Sequence, residues 1–188
     1  MAVYRLKPVE NSIEVLDLSL LQFADILGDE DYVLIRSQPR TNESLSARWK
    51  HTECKLAPFY QKGQSIPDIS YWGSYLVMTK QAYSVFQEPL SREGEFLPLS
   101  VSNKPMYIYI PLTFGQEDKT RTVKHFEDGY ECGLEQLVFD KTDVSKKWIF
   151  KSAMYGFHAL FVSEAFKELF EQSGFSGVIF DSDLAGAF

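Results

Sequence analysis

Three histidines (His51, His125, His158), two cysteines (Cys54, Cys132) and a late pair of carboxylates (Asp181, Asp183) are the side chains whose types admit catalysis or metal binding. No two histidines fall at the helical spacing of a zinc motif, and the cysteines do not form a C-x-x-C pair. His125, Glu127, Asp128 and Cys132 lie close together and carry ligand chemistry, but Asp128-Gly129 is first of all a turn signal. A Cys–His nucleophile pair would need a contact in space that no nucleophile elbow announces. Neither common glycine pattern of a phosphate-cradling loop is present. Asp181 and Asp183 come after the last strand, a usual place for catalytic acids and for solvated turn residues alike; the turn assignment is the expectation. Trp49, Trp72 and Trp148 are expected in the core or at its edge, with an interface anchor as the alternative role. The side chains therefore give no catalytic constellation, no cofactor site and no metal site, and the expectation is a protein that is not an enzyme.

The elements that would position these residues can be read from caps and periodicity. Ala2 to Leu6 reads as a strand ended by Pro8. Ser19 with Gln22 three residues on makes a capping box, and Leu18 with Phe23 a hydrophobic staple. Leu20, Phe23, Ala24 and Leu27 predict the buried stripe of that helix, and Gly28 its left-handed end. The acidic run Asp29-Glu30-Asp31 reads as a solvated turn or as a patch kept for a basic partner. Tyr32 to Arg36 reads as a strand, and residues 37–70 as loops with one short helix around Asn42 to Trp49. Tyr75 to Met78 and Ala159 to Val162 each predict a strand leading into a capped helix, with Thr79 and Ser163 as the caps. Pro89 is expected to stop the first of these helices and Gly174 the second. Met106 to Ile110 and Gly177 to Asp181 read as strands. Gln136 to Asp140 and Lys147 to Lys151 read as a hairpin around Lys141-Thr142-Asp143, with Lys147 and Lys151 on its wet face. This order predicts a single α+β domain over residues 1–188, with a central, mainly antiparallel or mixed sheet flanked by a few helices.

Composition sets the wider bounds. The chain has 188 residues, 45% of them hydrophobic and 15% aromatic, enough to bury a core without disulfides or metals. Its formal net charge is −7, which disfavours nucleic acid and anionic membranes and suits a basic partner. The opening residues lack the apolar run of a signal peptide and no stretch approaches a membrane span, so the expected address is cytoplasmic.

Four segments carry a more specific signal: Gly73-Ser74-Tyr75-Leu76-Val77-Met78-Thr79, Glu95-Phe96-Leu97-Pro98-Leu99, Leu160-Phe161-Val162-Ser163-Glu164-Ala165-Phe166, and Ser173-Gly174-Phe175-Ser176-Gly177-Val178-Ile179-Phe180. Over residues 70–182 this pattern resembles the immunity proteins of bacterial polymorphic-toxin and secretion-system loci. The resemblance consists of apolar positions, caps and glycines, a signature of fold and not of an active site. It implies a protein that binds a cognate toxin or effector by occlusion and so protects the cell that makes it; charge and motifs separately predict no cofactor and no nucleic-acid or membrane partner. The acidic residues Asp29, Glu30 and Asp31, and Glu127, Asp128 and Glu131, are the candidate partner-binding residues, read from charge alone. A small-molecule or peptide sensor domain, and a hydrolase using His125 or the terminal carboxylates, stand as alternatives; oligomeric state is left open.

Overall fold

The computed structural model describes residues 2–186. In chain order the elements are β1 (Val3–Pro8), β2 (Leu16–Asp17), α1 (Leu20–Leu27), α2 (Val33–Thr41), β3 (Thr52–Leu56), α3 (Pro58–Gln61), β4 (Ile69–Trp72), β5 (Tyr75–Thr79), α4 (Lys80–Leu90), β6 (Gly94–Val101), β7 (Lys104–Pro111), β8 (Val123–Glu127), β9 (Tyr130–Gln136), α5 (Lys141–Val144), β10 (Ile149–Lys151), β11 (Leu160–Ser163), α6 (Glu164–Gln172) and β12 (Val178–Asp181). The fold is α+β, with a mixed, mainly antiparallel six-stranded sheet flanked by helices and its remaining strands in two further sheets. A six-stranded sheet has the order β2-β3-β6-β7-β5-β4, a four-stranded sheet the order β10-β11-β1-β12, and β8-β9 stand apart as a two-stranded ribbon. Every pairing of these strands is antiparallel except β3 with β6.

Three cores fix the layering. Val77, Leu99, Ile108 and Ile110, on one face of the larger sheet, pack with Phe23 and Leu27 of α1, Leu34 of α2 and Tyr60 of α3. Leu76, Met78 and Tyr109, on its other face, join Leu6, Leu160 and Val162 of the smaller sheet around Phe86 of α4 and Phe166 of α6. Phe86 and Phe166 stack at 4.5 Å between ring centroids. The outer face of the smaller sheet is closed by Leu137, Phe139 and Val144 against Phe150 and Phe161.

The sheets are stitched together at two corners. After β7 the chain runs beside β10, where Gly115 N–H donates to Lys151 O at 2.9 Å and Lys151 N–H to Thr113 O at 3.0 Å. At the other corner Ile69 N–H donates to Ser176 O at 3.1 Å. Gly177 makes that approach possible: its φ is +112° and a Cβ there would lie 2.1 Å from Ile69 O.

Helices announced by side-chain caps form as expected. Ser19 and Gln22 complete the capping box of α1, which ends at Gly28 in the left-handed region. Thr79 and Ser163 cap α4 and α6. Leu20 departs from the expected stripe and is exposed, because it sits in the first turn of α1, outside the core that Phe23, Ala24 and Leu27 enter. α4 runs one residue past Pro89, to Leu90. A proline this near the helix end leaves almost no helix beyond it to disrupt.

Two expectations fail for the same reason. Tyr32 to Arg36 is not a strand, because α2 occupies Val33–Thr41. Asp29, five and six residues upstream, accepts from Leu34 N–H at 3.1 Å and Ile35 N–H at 2.9 Å and so satisfies the helix start. Gln136 to Asp140 and Lys147 to Lys151 do not pair as a hairpin. Asp140 instead accepts from Thr142 and Asp143 N–H at 2.7 and 3.1 Å and starts α5, while β10 pairs with β11. In both places a carboxylate bonded to backbone N–H groups outweighs the β-forming residues around it. Lys151, expected on a wet face, is buried. Among the described residues no helix is long and apolar enough to cross a membrane.

Candidate partner-binding hairpin

The β8–β9 ribbon begins from a clasp. Asp118 accepts from the backbone N–H groups of Thr120 and Arg121 and from the Thr120 hydroxyl, which turns the chain out of the body. Thr122 then closes the base: its hydroxyl donates to Val138 O at 3.2 Å and accepts from Val138 N–H at 3.1 Å. Leu134 packs against the buried Leu137–Phe139 cluster. Beyond that base every residue of β8 is exposed, and so is every residue of β9 except Leu134.

At the far end Asp128 and Gly129 take φ of +50° and +86°, the two left-handed residues of a tight hairpin turn. Glu127 lies opposite Tyr130 and Phe126 opposite Glu131, with a bulge between these pairs and the base. Lys124 Nζ meets Glu131 at 2.8 Å, and His125 Nε2 meets Glu127 at 3.2 Å. Phe126 is 56% exposed and Tyr130 76%. A two-stranded ribbon in water is marginal by itself, and Phe126 and Tyr130 are the most exposed aromatics among the described residues.

The candidate acidic residues thus fall into different settings. Glu127, Asp128 and Glu131 come together at the hairpin tip. Asp29 leaves the other group: it is buried, and both its oxygens are taken by the start of α2. Burial alone would raise its pKa, but the Ile35 and Leu34 N–H groups outweigh that and hold it below the usual carboxylate range. Glu30 and Asp31 remain exposed, beside a shallow depression of about 420 Å³ that Glu43 and Arg48 also line. Charge alone could not single out Phe126 and Tyr130; the available signal was two aromatics bracketing an Asp-Gly turn within a charged stretch.

The residues with catalytic or ligand chemistry are dispersed. His51 and His125 are exposed on separate segments, and Cys54 is half-buried with its thiol pushed up to about 11 by burial and the nearby Asp17 carboxylate. Asp181 pairs with Lys7 at 2.7 Å, which holds its pKa low, and Asp183 accepts from Ala185 and Gly186 N–H in a closing turn. The one hydroxyl–imidazole contact among the described residues is Ser74 Oγ to His158 Nδ1 at 2.5 Å, on the surface; no described carboxylate bonds to that histidine. Among the described residues no group of three or more His, Cys, Asp or Glu is placed to hold a metal ion. Trp72 is buried and donates to Leu18 O, Trp49 packs on Phe23 and donates to Pro98 O, and Trp148 is half-buried. None of the three is as exposed as Phe126 and Tyr130 of the hairpin.

No family model matches the chain, and no curated protein matches it.

Proposed function

We propose that this chain is a binding protein that neutralises a cognate toxin or effector by occluding it, and that the β8–β9 hairpin is its principal contact. The observation that carries the reading is the hairpin: an arm of exposed residues bearing two large aromatics and a set of carboxylates, firmly clasped at its base. Interfaces draw most of their energy from a few aromatic and charged anchors, and their association rates from complementary charge. An inhibitor needs no more chemistry than that. The immunity-protein resemblance supports the same conclusion independently of the hairpin.

The test is a pull-down with the product of the adjacent upstream gene, then co-expression rescue of its toxicity. Specific one-to-one binding with rescue is the expected result. Absence of both for that pairing sinks the reading, and screens for ligands and hydrolase activity come next. The Ser74–His158 contact gives the hydrolase alternative a definite residue to test: activity abolished by Ser74→Ala would favour it over binding.

A further inference from the structure

Side chains that face each other across an antiparallel pair share one face of the ribbon, and neighbours along a strand alternate between faces. The Glu127–Tyr130 pair and the Phe126–Glu131 pair therefore project from opposite faces of the hairpin tip. Each face carries one exposed aromatic beside one carboxylate, and Asp128 sits between them at the turn. A partner lying flat against one face would leave an aromatic of the other in water. With five residues in β8, the ribbon reaches roughly 16 Å from its base.

Resting on the reading that the chain binds a partner protein, we infer that the hairpin tip enters a cleft of that partner and is gripped on both faces. The arm dictates the cleft's chemistry. From Val123 to Gln136 it carries one lysine against the four carboxylates Glu127, Asp128, Glu131 and Glu135. The complementary cleft has cationic walls, with an apolar recess on each side for Phe126 and Tyr130. The Lys124–Glu131 ion pair and the His125–Glu127 hydrogen bond are solvent-exposed, so exchanging either for a cation of the partner costs little. The tip would block such a cleft by occupying it.

The experiment measures association and dissociation of the full chain with an inactivated form of the adjacent gene's product, at low and high salt. The variants are Phe126→Ala, Tyr130→Ala, Glu127→Lys and Glu131→Lys, one aromatic and one charge from each face. Both alanine variants are expected to speed dissociation by about tenfold or more, and both reversals to slow association at low salt by several-fold. Unchanged melting temperatures show that the variants fold, since none of these side chains is in a core. Sensitivity confined to one face overturns the two-sided grip while the binding function stands. Faster association of the reversals overturns the cationic cleft. A wild-type chain that neither binds nor rescues overturns the function itself and this inference with it.

Discussion

Lys151→Met should stabilise the protein at neutral pH and destabilise it in alkali. The Lys151 amine is buried, donates to Pro39 O at 2.6 Å and lies 5.0 Å from the centre of the Phe114 ring. No carboxylate bonds to it among the described residues. Its partner is a carbonyl in the last turn of α2, where a cation suits the helix dipole. That contact does not offset desolvation, and burial pushes the amine down to about 8 from the usual 10.5. Below pH 8 both folded and unfolded chains carry the charge, and holding it inside costs folding roughly 3 kcal/mol. Between pH 8 and 10.5 the unfolded chain binds the proton and the folded one does not, so the cost fades as pH rises. Methionine removes the charge and leaves the Pro39 carbonyl without its donor, a loss of about 1–3 kcal/mol. The variant should thus gain on the order of 1 kcal/mol at pH 7 and lose a comparable amount at pH 10. Urea unfolding of both proteins across this range isolates the effect, because every other titrating group is common to the two. A difference constant to within about 0.5 kcal/mol from pH 7 to 10 would refute the reasoning, since the amine would then titrate alike in both states.

Asp29→Ala removes the acceptor for two N–H groups at the start of α2 and should cost about 1–2 kcal/mol in urea denaturation. Because the folded pKa of Asp29 is lowered, its contribution is present above the unfolded carboxyl range and lost as pH falls through the folded value; a cost that persists in strong acid would contradict this. Gly177→Ala sets a methyl against Ile69 O at the seam between the sheets and should cost several kcal/mol or abolish folding, read by thermal melting. Replacing His125 through Gly133 by an Asn-Gly turn across the Lys124–Leu134 pair keeps Leu134 against its core and should change stability by less than about 1 kcal/mol while abolishing partner binding. Retained binding in that variant would remove the hairpin from the interface.

What was legible in the sequence was whatever its local chemistry decides. α1, α4 and α6 each begin at a serine or threonine whose hydroxyl accepts the N–H three residues on, a pattern within four residues of chain. α2 begins at a carboxylate five residues away, across a turn in which Tyr32 takes a positive φ, and its own residues favour a strand. Lys151 was illegible for a different reason. Alternation along Lys147 to Lys151 assumed one wet face, but the segment after β7 and the end of α2 cover that strand. At the site the turn Asp128-Gly129 was readable and the charges countable, yet nothing local says that the strands on either side leave the body.

The same distinction governs how the net charge of −7 should be understood. Many of the carboxylates are structural. Glu93 accepts from Trp148 and Ile149 N–H, Glu117 from Ala153 and Met154 N–H, Glu95 from Leu45 N–H, Asp68 from Ser176 N–H and Asp143 from Gln116 N–H. Each pins a loop, and drawing any of them into an ion pair with a partner would unpin it. Their charges still add to the long-range field and so to steering, which salt weakens. Short-range contact belongs to carboxylates held only by exposed side-chain pairs, as Glu127 and Glu131 are at the hairpin tip. Charge changes at the tip should therefore alter association and dissociation together. Equal charge changes at exposed sites away from the arm should alter association alone, and only at low salt.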